Sequence, residues 1–218
     1  MLPIAVAVAI FPVPIIASVL LLGGGRGIAR GVAFVLAWSV GLAAVAAVAL
    51  AVAGFADASD ESEPSRWVNA LLLALGLVLV GLAMRQWRNR PRLDDETPIP
   101  GWMLRIDHFT VAGAGQVGFA LSALNPKNIL LVAAAALEIA ERGLPVGQQA
   151  VILLAFVLLA SAGVLAPLVL TLALGDRSRK VLDSLRSWLA RHNAAIMAVL
   201  FLVIGAKLVG DAISGFAS

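Results

Sequence analysis

Six stretches of the chain, about residues 2–22, 31–55, 66–85, 110–137, 148–174 and 194–216, run on as Ala, Leu and Val with almost no charge. About 20 helical residues cross the ~30 Å hydrocarbon layer of a bilayer. Lipid cannot satisfy free backbone N–H and C=O groups, so such segments must be helices or a closed barrel. Continuous apolar runs lack the alternation of barrel strands. The expected fold is therefore an all-α integral membrane protein with six transmembrane helices. Composition agrees, since 61% of the 218 residues are hydrophobic and the mean hydropathy is +0.98, more apolar surface than a soluble domain of this size encloses. The first stretch has no Lys or Arg before it and is too long for the apolar core of a secretory signal, so it reads as a retained transmembrane helix.

Charge sets the orientation. Twelve of the 16 Lys and Arg residues lie in the connections after the first, third and fifth stretches: Arg26 and Arg30; Arg85, Arg88, Arg90, Arg92 and Arg105; Arg177, Arg179, Lys180, Arg186 and Arg191. Only Arg66 and Arg142 lie on the opposite side. Positive charge collects on the cytoplasmic side of a membrane protein, which predicts both termini outside a bacterial plasma membrane. Glu138, Glu141 and Asp211, like Asp57, Asp60, Glu61 and Glu63, then read as outer-surface charges. In Asp176 to His192, Val181, Leu182, Leu185, Trp188 and Leu189 recur at helical spacing among basic residues, the pattern of a separate helix lying in the headgroup layer. Pro91, Pro98 and Pro100 mark an irregular linker. The chain thus divides into one transporter domain of two three-helix repeats, about 1–87 and 109–218, joined by a cytoplasmic linker at about 88–108.

Two odd-numbered repeats must run inverted to each other. The first helix of each is interrupted near mid-membrane, by Phe11-Pro12-Val13-Pro14 in one and Asn125-Pro126-Lys127-Asn128 in the other. Paired interruptions point to a transporter binding site at the midplane. Pro126 removes one helical hydrogen bond, leaving a carbonyl near Ser122 or Leu121 unpartnered. Asn125, Asn128 and Ser122 can repair it, which is a purely structural use of those residues. Lys127 has no such explanation, because a charge near the bilayer centre costs at least about 2.5–3.5 kcal/mol. It reads as a substrate- or ion-handling residue. Lys207 is weaker evidence, since Asp211 one turn later can pair with it. Gly41, Gly54, Gly76, Gly81, Gly113, Gly115 and Gly118 read as helix-packing positions.

Other chemistries find little support. The chain has no cysteine, and His108 and His192 have no partners at metal-ligand spacing, so no metal or cofactor is expected. Gly23-Gly24-Gly25-Arg26 lacks the ending of a phosphate-binding loop. The basic residues are not interleaved with aromatics, so lipid phosphates rather than nucleic acid are their expected neighbours. No nucleophile triad or paired carboxylates occur inside the apolar runs, and nothing argues for an enzyme.

The phrase Ile106-Asp107-His108-Phe109-Thr110, followed by a Gly-rich stretch and Ala123-Leu124-Asn125-Pro126-Lys127-Asn128, resembles the signature of the GAP family. These are the glycopeptidolipid- and sulfolipid-addressing (Sap-like) proteins of actinobacteria, within the lysine-exporter superfamily. Phe11 to Ile16, Arg26 and the Trp38 segment are similar to that family too, and the resemblance covers nearly the whole chain. It implies six helices with inverted repeats and a role in delivering envelope glycolipids or their precursors across the plasma membrane. Phe11 departs from the small polar residue expected before the first proline, which argues against a symmetric two-motif ion site.

The expected function is export or flipping of an envelope lipid. Lys127 would attract an anionic headgroup, Pro12, Pro14 and Pro126 would hold the backbone open, and Asn125, Asn128, Ser122 and Lys207 would complete the substrate site. The expected partners are membrane lipids and an anionic lipid or glycolipid substrate; a homo-oligomer is compatible with the sequence. One alternative is export of a small polar solute such as an amino acid, its carboxylate gripped by Lys127 and the asparagines. Another is a non-transporting scaffold for envelope-biosynthesis proteins. Ion export fits less well, because buried carboxylates for a hard cation are lacking.

Overall fold

The computed structural model describes residues 1–23, 27–57, 66–90, 106, 109–140 and 142–217. Arg26, the acidic residues Asp60, Glu61 and Glu63, the linker 91–105 with Arg92 and Arg105, Asp107, His108 and Glu141 lie outside the described residues.

Among the described residues the chain forms eight α-helices and no strand: α1 (Leu2–Ala9), α2 (Pro12–Leu21), α3 (Gly27–Asp57), α4 (Arg66–Arg88), α5 (Val111–Ala123), α6 (Pro126–Ala140), α7 (Val146–Leu174) and α8 (Ser178–Ala217). Helices α3, α4, α7 and α8 are each long and apolar enough to cross a membrane alone. The pairs α1–α2 and α5–α6 pass the same test jointly but bend by 44° and 58° at their breaks, so counting each bent pair as one span gives six.

The two breaks follow from proline chemistry. Pro12 and Pro126 open α2 and α6, where the missing N–H is one that a helix start leaves unpaired anyway. Neither can donate back to the preceding turn, so α1 and α5 must end just before them. Thr110 caps α5, its Oγ1 accepting from the Gly113 N–H at 3.0 Å. Pro167, by contrast, sits inside α7 without interrupting it.

Helices α3 and α7 pack against each other at the centre of the bundle. Helix α3 also carries α5 and α6, while α7 carries α1 and α2. Helix α4 packs along α8, and α2 meets α8 as α6 meets α4. At the α4–α8 crossing the backbones nearly touch. A methyl group added to Gly205 would lie 2.9 Å from the Gly76 carbonyl oxygen, and one added to Gly76 would lie 3.0 Å from that of Gly205. At the α3–α7 crossing the Ser39 and Ser161 hydroxyls are 3.0 Å apart. Ser39 Oγ donates to its own Val35 carbonyl at 2.9 Å, so the shared proton belongs to Ser161.

The structure corrects two expectations. The segment from Asp176 to His192 is not a separate interfacial helix: from Ser178 it is the first part of α8, which runs unbroken for 40 residues. No Gly or Pro occurs between Ser178 and Ile204 to stop it. At about 1.5 Å per residue the helix is ~60 Å long, twice the hydrocarbon thickness. Leu189 packs with Ile15 and Ile16 of α2 rather than facing lipid, while Val181 and Trp188 stay half-exposed. Glu138 is likewise not a surface charge. It is only 6% exposed, because its carboxylate is taken up by ammonium groups from two other helical segments.

Candidate functional site

The break between α5 and α6 is closed by the polar residues around it. Asn125 stands immediately before α6, and its Oδ1 accepts from the Lys127 N–H at 3.1 Å, satisfying one of the donors that a helix start leaves free. Its carbonyl accepts from the Asn128 and Ile129 N–H groups, each at 3.0 Å. Asn128 Nδ2 donates to the Ser122 carbonyl at 2.9 Å, so the oxygen orphaned by Pro126 regains a partner. Ser122 Oγ donates to the Phe119 carbonyl at 3.0 Å. Asn128 and Ser122 are fully buried. Among the described residues Asn128 Oδ1 has no hydrogen-bond partner, and neither has Trp38 Nε1 on the adjoining α3.

The remaining polar side chain at this break is left over from the repair. Lys127 is partly buried, and its Nζ lies 5.6 Å from the ring centroid of Phe201 in α8, within cation–π range. Among the described residues no carboxylate pairs with Lys127. Among the described residues, the charge that acts on it is of the same sign, the Arg85 guanidinium at the last turn of α4. Beside it Leu124 and Pro126 are exposed, Leu124 by 68%, so the break reaches the surface of the bundle.

The other break comes to the same place. Phe11, the residue just ahead of Pro12, meets the Phe201 ring edge-on, with centroids 6.3 Å apart and planes at 86°. Pro12 and Pro14 are buried in the first turn of α2 and shape the backbone without offering a polar group. Ser18 Oγ anchors α2 to α7 by donating to the Val164 carbonyl at 2.8 Å. A single buried aromatic ring therefore joins both interruptions, with Lys127 over it.

Each break is seated against a glycine of a central helix. A methyl group on Gly41 of α3 would lie 2.0 Å from Ser122 Oγ, and one on Gly163 of α7 would lie 1.6 Å from the Ala9 carbonyl oxygen. At Gly163 the obstacle is backbone, which cannot give way, whereas at Gly41 it is the Ser122 side chain. Both glycines stand two residues after the serines that bond across α3 and α7. Phe201 and Gly163 were missed by the sequence reading; the repeated Ser-x-Gly, at 39–41 and 161–163, is a signal that could have found the second.

Lys207 does not share this site. Its Nζ is 2.7 Å from Glu138 Oε1 and 2.5 Å from Asp211 Oδ2, and the amino group of Met1 binds the other oxygen of Glu138.

Four helices long and apolar enough to cross a membrane, packed with two bent helix pairs, define a multi-pass, all-helical membrane protein whose breaks converge inside the bundle. Within that class, the chain belongs to the Sap, sulfolipid-1-addressing protein family, whose profile covers residues 1–214. No curated protein and no solved structure matches it.

Proposed function

We propose that the protein exports or flips an envelope glycolipid, or a lipid-linked precursor, across the bacterial plasma membrane and receives its anionic headgroup at Lys127. The observation that carries this reading is the state of Lys127: an ammonium at a broken span, spare from the helix repair, with no paired carboxylate among the described residues. Burying an unpaired charge is costly, so a negatively charged cargo that neutralises it is stabilised there. A phosphate or sulfate ester meets that requirement, and a sulfolipid is what the family is named for.

The exposure of apolar residues at the break favours a lipid over a small solute. With Leu124 and Pro126 exposed beside Lys127, a headgroup can reach the ammonium while its acyl chains stay in the bilayer. An amino acid would instead need a cavity closed off from lipid.

Two inverted three-helix repeats are part of this reading, as in the lysine-exporter superfamily. Exchanging α1–α2 with α5–α6, α3 with α7 and α4 with α8 carries the main helix pairings onto one another, α3 with α5 and α6 onto α7 with α1 and α2 and α4 with α6 onto α8 with α2, with Ser39 opposite Ser161 and Gly76 opposite Gly205. Such symmetry is how one sequence pattern supplies two related conformations about a fixed site. The basic residues place both termini outside the cell in this scheme.

The test is mass spectrometry of surface-extractable lipids from a deletion strain complemented with wild type, Lys127→Met or Lys127→Arg. One anionic lipid should vanish from the surface, accumulate inside, and return fully with wild type, partly with Lys127→Arg and not with Lys127→Met. An unchanged lipid profile on deletion would overturn lipid export and leave small-solute export as the reading to pursue.

A further inference from the structure

The three segments that meet near Lys127 meet again further along, at a cluster of charge. From Lys127, α6 climbs 11 residues to Glu138, about 16 Å. From Phe201, α8 climbs six residues to Lys207, about 9 Å, and α1 leads back from Phe11 to Met1 on the same side. Glu138, with its side chain 7% exposed, takes Lys207 Nζ on one oxygen and the Met1 amino group on the other, and Lys207 also holds Asp211. Two carboxylates and two ammonium groups make the cluster neutral. Between it and the level of Lys127 and Phe201, Ile4 of α1, Leu131 and Ala135 of α6 and Ile204 of α8 are 0–1% exposed and belong to one buried apolar core. On the other side of Lys127, Pro126 and Arg85 are exposed, and no comparable buried ion-pair cluster occurs there among the described residues.

We propose that Glu138 and Lys207 form a gate on the face opposite Arg85, closed in this structure, which bars access to Lys127 from the Glu138 side. The ion pair ties α6 to α8, and the apolar layer below it excludes water. A buried carboxylate facing two ammonium groups has an intact bond worth keeping and a costly broken one, which gives the two-state behaviour a gate needs. Opening transfers the Glu138 and Lys207 charges to water, where each is solvated, while Asp211 stays with Lys207. The location of the gate rests on the transport reading only for what passes through it.

The native chain has no cysteine, so one introduced thiol reports on the gate. Ala135→Cys lies between Glu138 and Lys127 on α6, and its labelling by a membrane-impermeant maleimide is measured in right-side-out and inverted vesicles. Labelling from the Glu138 side should be slow in the Ala135→Cys protein and about tenfold or more faster after Glu138→Gln or Lys207→Met, since each breaks the buried pair. Asp211→Asn, which removes only the half-exposed partner, should change it less than about twofold. If Glu138→Gln does not purify as a monodisperse protein, Lys207→Met, which leaves Glu138 its Met1 partner, carries the test. Unchanged labelling in folded Lys207→Met would overturn the gate. Faster labelling combined with an unaltered surface lipid profile in the Lys127→Met strain would uphold the gate and sink the lipid reading; the reverse pair of results would do the opposite.

Discussion

The ammonium of Lys127 stands 5.6 Å from the centroid of the Phe201 ring, and the edge of that ring meets Phe11. One aromatic side chain in α8 thus holds together a charge from the second helix break and the residue that opens the first. The large side chain at position 11, which sets this chain apart from the pattern it otherwise resembles, has a partner that explains its size.

Replacing Phe201 by Leu removes the π-face under the ammonium and the edge contact with Phe11 while keeping a fully buried apolar side chain. Contacts of these two kinds contribute about 1–2 kcal/mol together. Lipid delivery by Phe201→Leu should fall roughly fivefold to thirtyfold, with expression maintained, as read from surface lipid per unit of protein. Wild-type delivery by this variant would show that the ring does not position Lys127.

The hydrogen bonds at the break predict two different costs. Asn128→Leu leaves the buried Ser122 carbonyl without its donor and should destabilise the protein by about 1–3 kcal/mol. Asn125→Ala loses a helix cap and should cost about 1 kcal/mol, while Asn125→Asp retains it. Thermal unfolding in detergent micelles ranks the three variants; equal midpoints for Asn125→Ala and Asn125→Asp would remove the cap assignment.

Glycine at 163 has a stricter requirement than glycine at 81. A Cβ at 163 would overlap the Ala9 backbone, whereas one at 81 meets nothing within 4 Å. Gly163→Ala should cost at least about 3 kcal/mol and depress folded yield. Gly81→Ala should be neutral or stabilise by up to about 1 kcal/mol through helix propensity. Size-exclusion yield and melting midpoint compare them directly.

Ser39 and Ser161 link the two central helices through one hydrogen bond. In a bilayer such bonds contribute about 0.6 kcal/mol on average. A double-mutant cycle of Ser39→Ala and Ser161→Ala should return a coupling of that order, and additive single effects would place the contact outside the energetics of the bundle.

Much of the architecture was legible because the bilayer allows so few solutions. Long uncharged runs had to be helices, and Pro12 and Pro126 had to end them, since a residue without an N–H cannot continue a hydrogen-bonded turn. The orphaned carbonyl and its repair by Asn128 followed from the same local chemistry. Pro167 warns that the rule is not complete, for α7 carries it without a break. Residues whose role depends on partners far along the chain were not legible. Glu138 looked like a surface charge because nothing nearby in sequence binds it; its partners are 137 and 69 residues away. The amphipathic pattern of Leu182, Leu185 and Leu189 suited a membrane surface equally well, until α2 turned out to cover part of that face.

By itself, then, the sequence determined a helical membrane protein with two broken spans and an ammonium at one of them, because backbone hydrogen bonding in lipid and the geometry of proline are local constraints. Only the tertiary structure decided that both breaks meet at Phe201, that Gly41 and Gly163 seat them, and that Glu138 is buried between Lys207 and Met1. Those relationships arise from how helices cross, and a crossing brings together residues whose separation along the chain carries no trace of it.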